Sequence, residues 1–314
     1  MKIEAYSQVF EDQVVRLWSR TLFADPLTAG KFRRQALFDD NFDPALCDLA
    51  LEDGLVRGFI LATKRKFPYL ERGLEPQRGW INVLFVDKEV QRRGIGSQLL
   101  EGAEQKLAGL GAEQLTYGAY SPSYFFPGVD RETYPAARGF FEKHGYRAGE
   151  KAYSMKKDLQ GYVIPETTLA KKAELEKAGY RFIKFDYRYA LDLLEFTRAE
   201  FGGGWKRNAL ISMQNNTAED CILLVLDRDG KVAAYCMRMI DGNPQRFGPI
   251  GTAAAERNSG IGGVLFDIMQ FEMTRRGLCQ LFFLSTDEPG RRFYERHGLT
   301  VFRTFTDYRK ELKQ

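Results

Sequence analysis

Two short glycine-bearing segments are the residues best suited to do chemistry: Gln91-Arg92-Arg93-Gly94-Ile95-Gly96, followed by Ser97, and Arg257-Asn258-Ser259-Gly260-Ile261-Gly262, followed by Gly263. Both read Gln or Arg, two residues, Gly, one residue, Gly, and each lies between an apolar run and a helical pattern. Glycines at such a junction let the backbone turn tightly and approach a ligand, so that unpaired N–H groups at a helix N-terminus converge on phosphate oxygens. The expected ligand is an anion. A dinucleotide fingerprint would need a third glycine three residues after the second, where Leu99 and Leu265 stand. A Walker loop needs Gly-Lys-Ser/Thr and a kinase loop needs a downstream catalytic loop, and neither segment has them.

The elements that must position these loops occur twice in the same order. An amphipathic helix ending in aromatics carries Val14, Leu17, Trp18 and Leu22 in one copy and Leu191, Leu194, Thr197 and Phe201 in the other. Paired apolar runs around Asp53-Gly54 and Asp229-Gly230 read as hairpins. A strand, glycine loop and helix follow, WINVLFVDKEVQRRGIGSQLL and FGPIGTAAAERNSGIGGVLF, and then a helix running into His-Gly and a new strand, GFFEKHGY and RFYERHGL. The offset between copies is 166 residues from Gly96 to Gly262 and 153 from His144 to His297, so the first copy holds an insertion of about 13 residues. SPSYFFPGVDRETYP falls there. Its segment from Tyr124 through Phe125, Phe126, Pro127, Gly128 and Val129 to Asp130 is too apolar to stay in water, and it is expected to cap an active site.

Each half therefore reads as an α/β (α+β) domain: a mixed, mostly antiparallel sheet with a parallel strand-helix-strand unit at its centre, flanked by helices. The expected domains are residues 1–160 and 161–314, with a linker over roughly 158–180 in which Pro165 breaks structure. Apolar residues at 44% and charged residues at 28% describe a soluble globular chain, not a disordered one. A net charge of +4 with scattered Lys and Arg argues against nucleic acid as partner. Cys47, Cys221, Cys236 and Cys279 form no C-x-x-C pair and read as reduced, mostly buried thiols. With no signal-like apolar stretch in MKIEAYSQVFEDQ and no membrane-length segment, the expected location is the cytoplasm and no membrane partner is expected.

Q-x-x-G-x-G after a strand, followed about 40 residues later by an aromatic pair, an acidic residue and x-x-G-Y/F/L, resembles the acetyl-CoA signature of the GNAT superfamily of N-acyltransferases. The resemblance covers both halves and implies two tandem GNAT-type domains with a splayed central strand pair. It implies acetyl-CoA as cofactor, its pyrophosphate on the N–H groups of residues 92–97 or 258–263. The pantetheine arm would run along Phe85-Val86 or Gly251-Thr252 like an added strand. It also implies a tyrosine just before the acidic residue of the last helix as the acid for the departing thiolate. That residue is Tyr294 in the second copy and Phe141 in the first, which places the chemistry in the second copy. Seven positions earlier stand Asp287, able to accept a proton or hold the substrate ammonium, and Tyr134. Trp205, after Gly202-Gly203-Gly204, sits where substrate loops of the family lie.

Each of these residues has a plainer reading. Tyr294 and Trp205 are also suited to packing, Asp287 before Pro289 to an N-cap, and His144 and His297 to structural roles at helix C-termini. The expected reaction is acetyl transfer to a primary amine by direct attack in a ternary complex, without metal. The PGVD-type insertion and the GGGW segment resemble bacterial glucosamine or glucosaminide N-acetyltransferases, which makes an amino sugar the leading acceptor. An aminoglycoside, a polyamine, a mycothiol precursor or a protein amine stays open as acceptor, as does a non-catalytic acyl-CoA sensor. Oligomeric state is not legible.

Overall fold

A computed structural model describes residues 1–123 and 125–312. Tyr124 of the inserted loop lies outside the described residues. Two compact units emerge: Met1–Ala152 with Arg303–Gln314, and Tyr153–Phe302.

The first unit contains β1 (Lys2–Ala5), α1 (Glu11–Thr21), α2 (Ala29–Phe32), β2 (Cys47–Glu52), β3 (Leu55–Thr63), β4 (Arg78–Val86), α3 (Ile95–Gly109), β5 (Gln114–Tyr117), β6 (Val129–Asp130), α4 (Pro135–Lys143) and the start of β7 (Arg147–Asp158). From β1 to β4 each strand pairs antiparallel with the next, and β4 pairs parallel with β5. The β2–β3 turn is tight because Asp53 and Gly54 both take positive φ, 53° and 76°, as a two-residue hairpin of this hand requires. One face of the sheet buries Ile95, Leu99, Leu100, Ala103 and Leu107 of α3, and the other buries Val14, Leu17 and Trp18 of α1. Phe125 and Phe126 of the insertion pack on Trp18, with ring centroids 4.8 and 6.0 Å away, so the loop covers its apolar residues in the core of its own unit.

The second unit contains the rest of β7, α5 (Glu166–Lys177), β8 (Arg181–Lys184), α6 (Ala190–Phe201), α7 (Gly203–Gln214), α8 (Ala218–Cys221), β9 (Ile222–Leu226), β10 (Val232–Arg238), β11 (Phe247–Thr252), α9 (Ile261–Arg275), β12 (Gln280–Phe283), α10 (Glu288–Arg296) and the start of β13 (Thr300–Glu311). Its strands β8 to β11 are joined antiparallel in chain order. Among the expected apolar positions of α6, Leu191 is exposed, and the buried stripe is Leu193 and Thr197. At 3.6 residues per turn, Leu191 lies about 200° around the helix from Leu193, on the solvent side.

The expected division at 160/161 differs from the observed units because final strands are exchanged. Residues Met155 to Asp158 of β7 pair with β12, and Tyr308 to Glu311 of β13 pair with β5. The expected linker is also more than a tether: α5 buries Leu175 in the second core, and Thr168 Oγ1 donates to Asp267 Oδ2 at 2.7 Å. Cys47, Cys221 and Cys236 are buried, while Cys279 is exposed. Among the described residues no helix is long and apolar enough to cross a membrane.

Candidate active site

The central parallel strands part early in both units. In the first, β4 and β5 share four rungs, Arg78↔Gln114 to Ile81↔Tyr117, and β4 then continues to Val86 with only β3 beside it. In the second, a single parallel bridge, Arg246↔Phe282, joins the strands at the rung equivalent to Trp80↔Thr116. A bulge follows in each. Leu61 faces Val83 and Ala62 faces Ile81, leaving Asn82 extra, and the register of β10 with β11 shifts between Cys236 and Arg238. A bulge bends its strand and frees backbone groups from the ladder, so each unit has a wedge whose β4 or β11 edge can take an extended ligand.

The glycine loops have one conformation. Gln91 and Arg257 are extended, with φ/ψ of −61°/161° and −66°/151°. Arg92 and Asn258 have φ of 65° and 66°, and Gly94 and Gly260, the N-caps of α3 and α9, have φ of 82° and 92°. Left-handed residues alternating with ordinary ones turn successive N–H groups toward one point. Among the described residues the N–H groups of residues 92–97 have no acceptor, and in the second loop only the Ile261 N–H has one, Ser259 Oγ at 3.4 Å. A β-carbon on Gly94 would meet nothing within 4 Å, and one on Gly262 only Thr252 Oγ1 at 3.3 Å. Gly94 is therefore required by its backbone angle, whereas Gly262 keeps a space open. Residue types and geometry fit a pyrophosphate.

The loops differ in their surroundings. The stem of Lys171 on α5 lies against Gly260, with Cε 2.8 Å from the site a β-carbon would take, and its ammonium donates to Glu174 at 2.7 Å. Lys171 lies in the segment that reads as linker, so only the packing of α5 on α9 brings it to the loop. Gly251 is required by packing, since a β-carbon there would collide with Phe201 and Trp205. These two rings stack at 4.3 Å, placing Trp205 against β11 beside Thr252. In the first unit the strand itself supplies the ring at this level: Phe85 packs on Trp18 at 5.5 Å, and the Val86 carbonyl accepts from Gln91 Nε2.

Tyr294 is buried among Phe283, Phe293, Phe266 and Phe247, with centroids 4.5 to 6.2 Å away. Burial, then the neighbouring Cys236 and Asp287, push its phenol well above the usual tyrosine range, against a lowering from Arg246. Asp287 is exposed and caps α10, its Oδ1 accepting from the Gly290 N–H at 2.9 Å. Tyr134 stands at the matching place before α4 and donates to Asp25 at 2.8 Å. His144 Nδ1 faces the Phe140 carbonyl and must donate to it, so Nε2 accepts from Ser97 Oγ at 2.9 Å. His297 Nδ1 donates to Asp267 at 3.2 Å while its ring covers Gly263. Both histidines thus tie the last helix to the glycine-loop helix.

Residues 11–146 match the family model described as acetyltransferase (GNAT) family. Over this segment the chain is similar to the GNAT family. Solved structures extend the GNAT fold over the rest. A glucosamine N-acetyltransferase region of a fungal multi-domain GH3 β-N-acetylglucosaminidase aligns with a TM-score of 0.79 at 20% identity, over 98% of this chain and 38% of that one. A GCN5-related N-acetyltransferase from Sphaerobacter thermophilus aligns at 0.71 and 17% identity, covering 100% and 96%. A tandem GNAT protein from the clavulanic acid biosynthesis pathway aligns at 0.65 and 16%, covering 100% and 99%. The two units are tandem GNAT folds. Among curated proteins no sequence matches this chain.

Proposed function

We propose that the chain transfers acetyl from acetyl-CoA to a primary amine of a small molecule, with an amino sugar as the favoured acceptor and the second unit as a site of chemistry. The observation that carries this reading is the conjunction, in one unit, of an anion-cradling loop, a parted strand pair and the buried phenol of Tyr294. Acetyl-CoA would supply an activated thioester carbonyl. The N–H groups of residues 258–263 hold its pyrophosphate and the edge of β11 holds the arm, so the chain's part is to bind, orient and move protons. Tyr294 keeps its proton at neutral pH and delivers it at the leaving sulfur. Asp287 uses Oδ1 as cap, and Oδ2, which has no hydrogen-bond partner among the described residues, holds the acceptor's ammonium. The flat Phe201–Trp205 stack beside β11 suits the face of a sugar ring, and the likeness to a glucosamine N-acetyltransferase region supports the same class.

Thiol release from acetyl-CoA, measured with glucosamine, an aminoglycoside, a polyamine, a mycothiol precursor and a peptide N-terminus, tests the proposal. Glucosamine is expected to be turned over fastest. Coenzyme A binding with no thiol release on any amine would replace the enzyme by an acyl-CoA sensor.

A further inference from the structure

The first unit has Phe141 where the second has Tyr294, yet it does not lack a phenol. The strands preceding the last helices read Gln114-Leu115-Thr116-Tyr117 and Gln280-Leu281-Phe282-Phe283, in register at the same 166-residue offset as the loops. Tyr117 and Phe141 pack with centroids 4.4 Å apart and planes at 47°, and Phe283 and Tyr294 pack at 4.5 Å and 48°. The two contacts superpose in kind, with the hydroxyl moved from helix to strand.

Tyr117 stands at the last rung before β4 and β5 part, opposite Ile81. It belongs to the core cluster shared by α3 and α4, as Tyr294 belongs to that shared by α9 and α10, so both phenols lie on the face from which the glycine loop opens. Its side chain is 7% exposed and its hydroxyl has no hydrogen-bond partner among the described residues, whereas Tyr308 beside it donates to Glu142. A hydroxyl that no protein group engages, in a residue otherwise buried, is open to a ligand. Asp25 is the charged group acting on it, and together with burial it keeps the phenol protonated.

We propose that Tyr117 is the thiol-protonating acid of the first unit, which makes that unit a second site of acetyl transfer; the inference rests on the acetyl-transfer reading above. As the amine nitrogen bonds to the carbonyl carbon, the C–S electron pair goes to sulfur, and Tyr117 Oη gives sulfur its proton. The proton shed by the new amide nitrogen returns to the phenolate through water, so one amine and one thioester become one amide and one thiol.

Four full-length proteins decide it: the parent, Tyr294→Phe, Tyr117→Phe and the double variant, each compared by thermal unfolding to show that loss of one oxygen leaves the fold intact. With acetyl-CoA and glucosamine, the double variant should be slower than Tyr294→Phe alone by roughly 10²-fold or more. Adding Phe141→Tyr to Tyr117→Phe should return the phenol to the pair and recover activity. A second readout needs no turnover: the thiolate absorbance of bound coenzyme A should show two ionisation steps, of which Tyr117→Phe raises one, because a phenol donor favours the thiolate. A double variant as fast as Tyr294→Phe, with both ionisation steps unmoved, would overturn the proposal. If the parent acetylates no amine, the functional reading fails by itself, and the ionisation step still decides whether Tyr117 faces the sulfur.

Discussion

A phenol held in an apolar cluster is a weaker acid than one in water, and at Tyr294 this has a kinetic consequence. Because burial raises its pKa, the alkaline limb of a pH–rate profile should show no phenol ionisation below about pH 10. Tyr294→Phe should leave folding and coenzyme A affinity nearly unchanged while turnover falls to the level the first unit sustains; with Tyr117→Phe as background, the same change should lower kcat by roughly 10²-fold or more. Steady-state kinetics beside calorimetry separates the two effects. At Asp287 the cap uses Oδ1, and the proposed hold on the acceptor's ammonium would use Oδ2. Asp287→Ala should cost about 1 kcal/mol in urea unfolding through loss of the cap. Asp287→Asn retains the cap, and its turnover should fall most at low pH, where the amine is protonated; a loss equal at every pH would leave Asp287 a cap and nothing more.

The glycine loop works as an element because each position has a different reason to be glycine. At Gly94 and Gly260 the left-handed angle itself excludes a side chain at low cost. Gly262 has an ordinary angle and room for a β-carbon, so Gly262→Val should fold and yet lose coenzyme A affinity by filling the cradle. Calorimetry should then show one binding event in place of two, and Gly96→Val should remove the other. Unchanged affinity and stoichiometry in a folded Gly262→Val would remove the loop from the site.

At the scale of the whole molecule, the exchanged strands decide which pieces can stand alone. A chain ending at Phe302 lacks Phe305, Tyr308 and the rungs of β13 with β5, all of which belong to the first unit. Burying each ring contributes about 1.5–3 kcal/mol, a large share of the ~5–15 kcal/mol that holds a domain folded. Truncation after Phe302 should therefore melt the first unit while residues 153–302 keep a cooperative transition. Residues 1–160 alone should give no sharp melting transition, as differential scanning calorimetry can check.

Local patterns were enough to read the repeat, the strand-loop-helix units, the hairpins and the two glycine loops, because each depends on residues close in sequence: a β-carbon absent at a left-handed angle, or apolar residues at spacing 2 or 3.6. Tyr294 was legible as a candidate from its place before Glu295. What the sequence could not show depends on contacts made through space. The exchange of β7 and β13 leaves no local mark, since a strand reads alike whichever sheet accepts it. Leu191 fell on the wrong face because one helix admits more than one apolar stripe until packing selects it. Lys171 reached a loop some ninety residues away only through the packing of α5 on α9. Tyr117 carries no local mark for the same reason: its equivalence to Tyr294 lies in a ring contact between strand and helix, which exists only once the chain has folded.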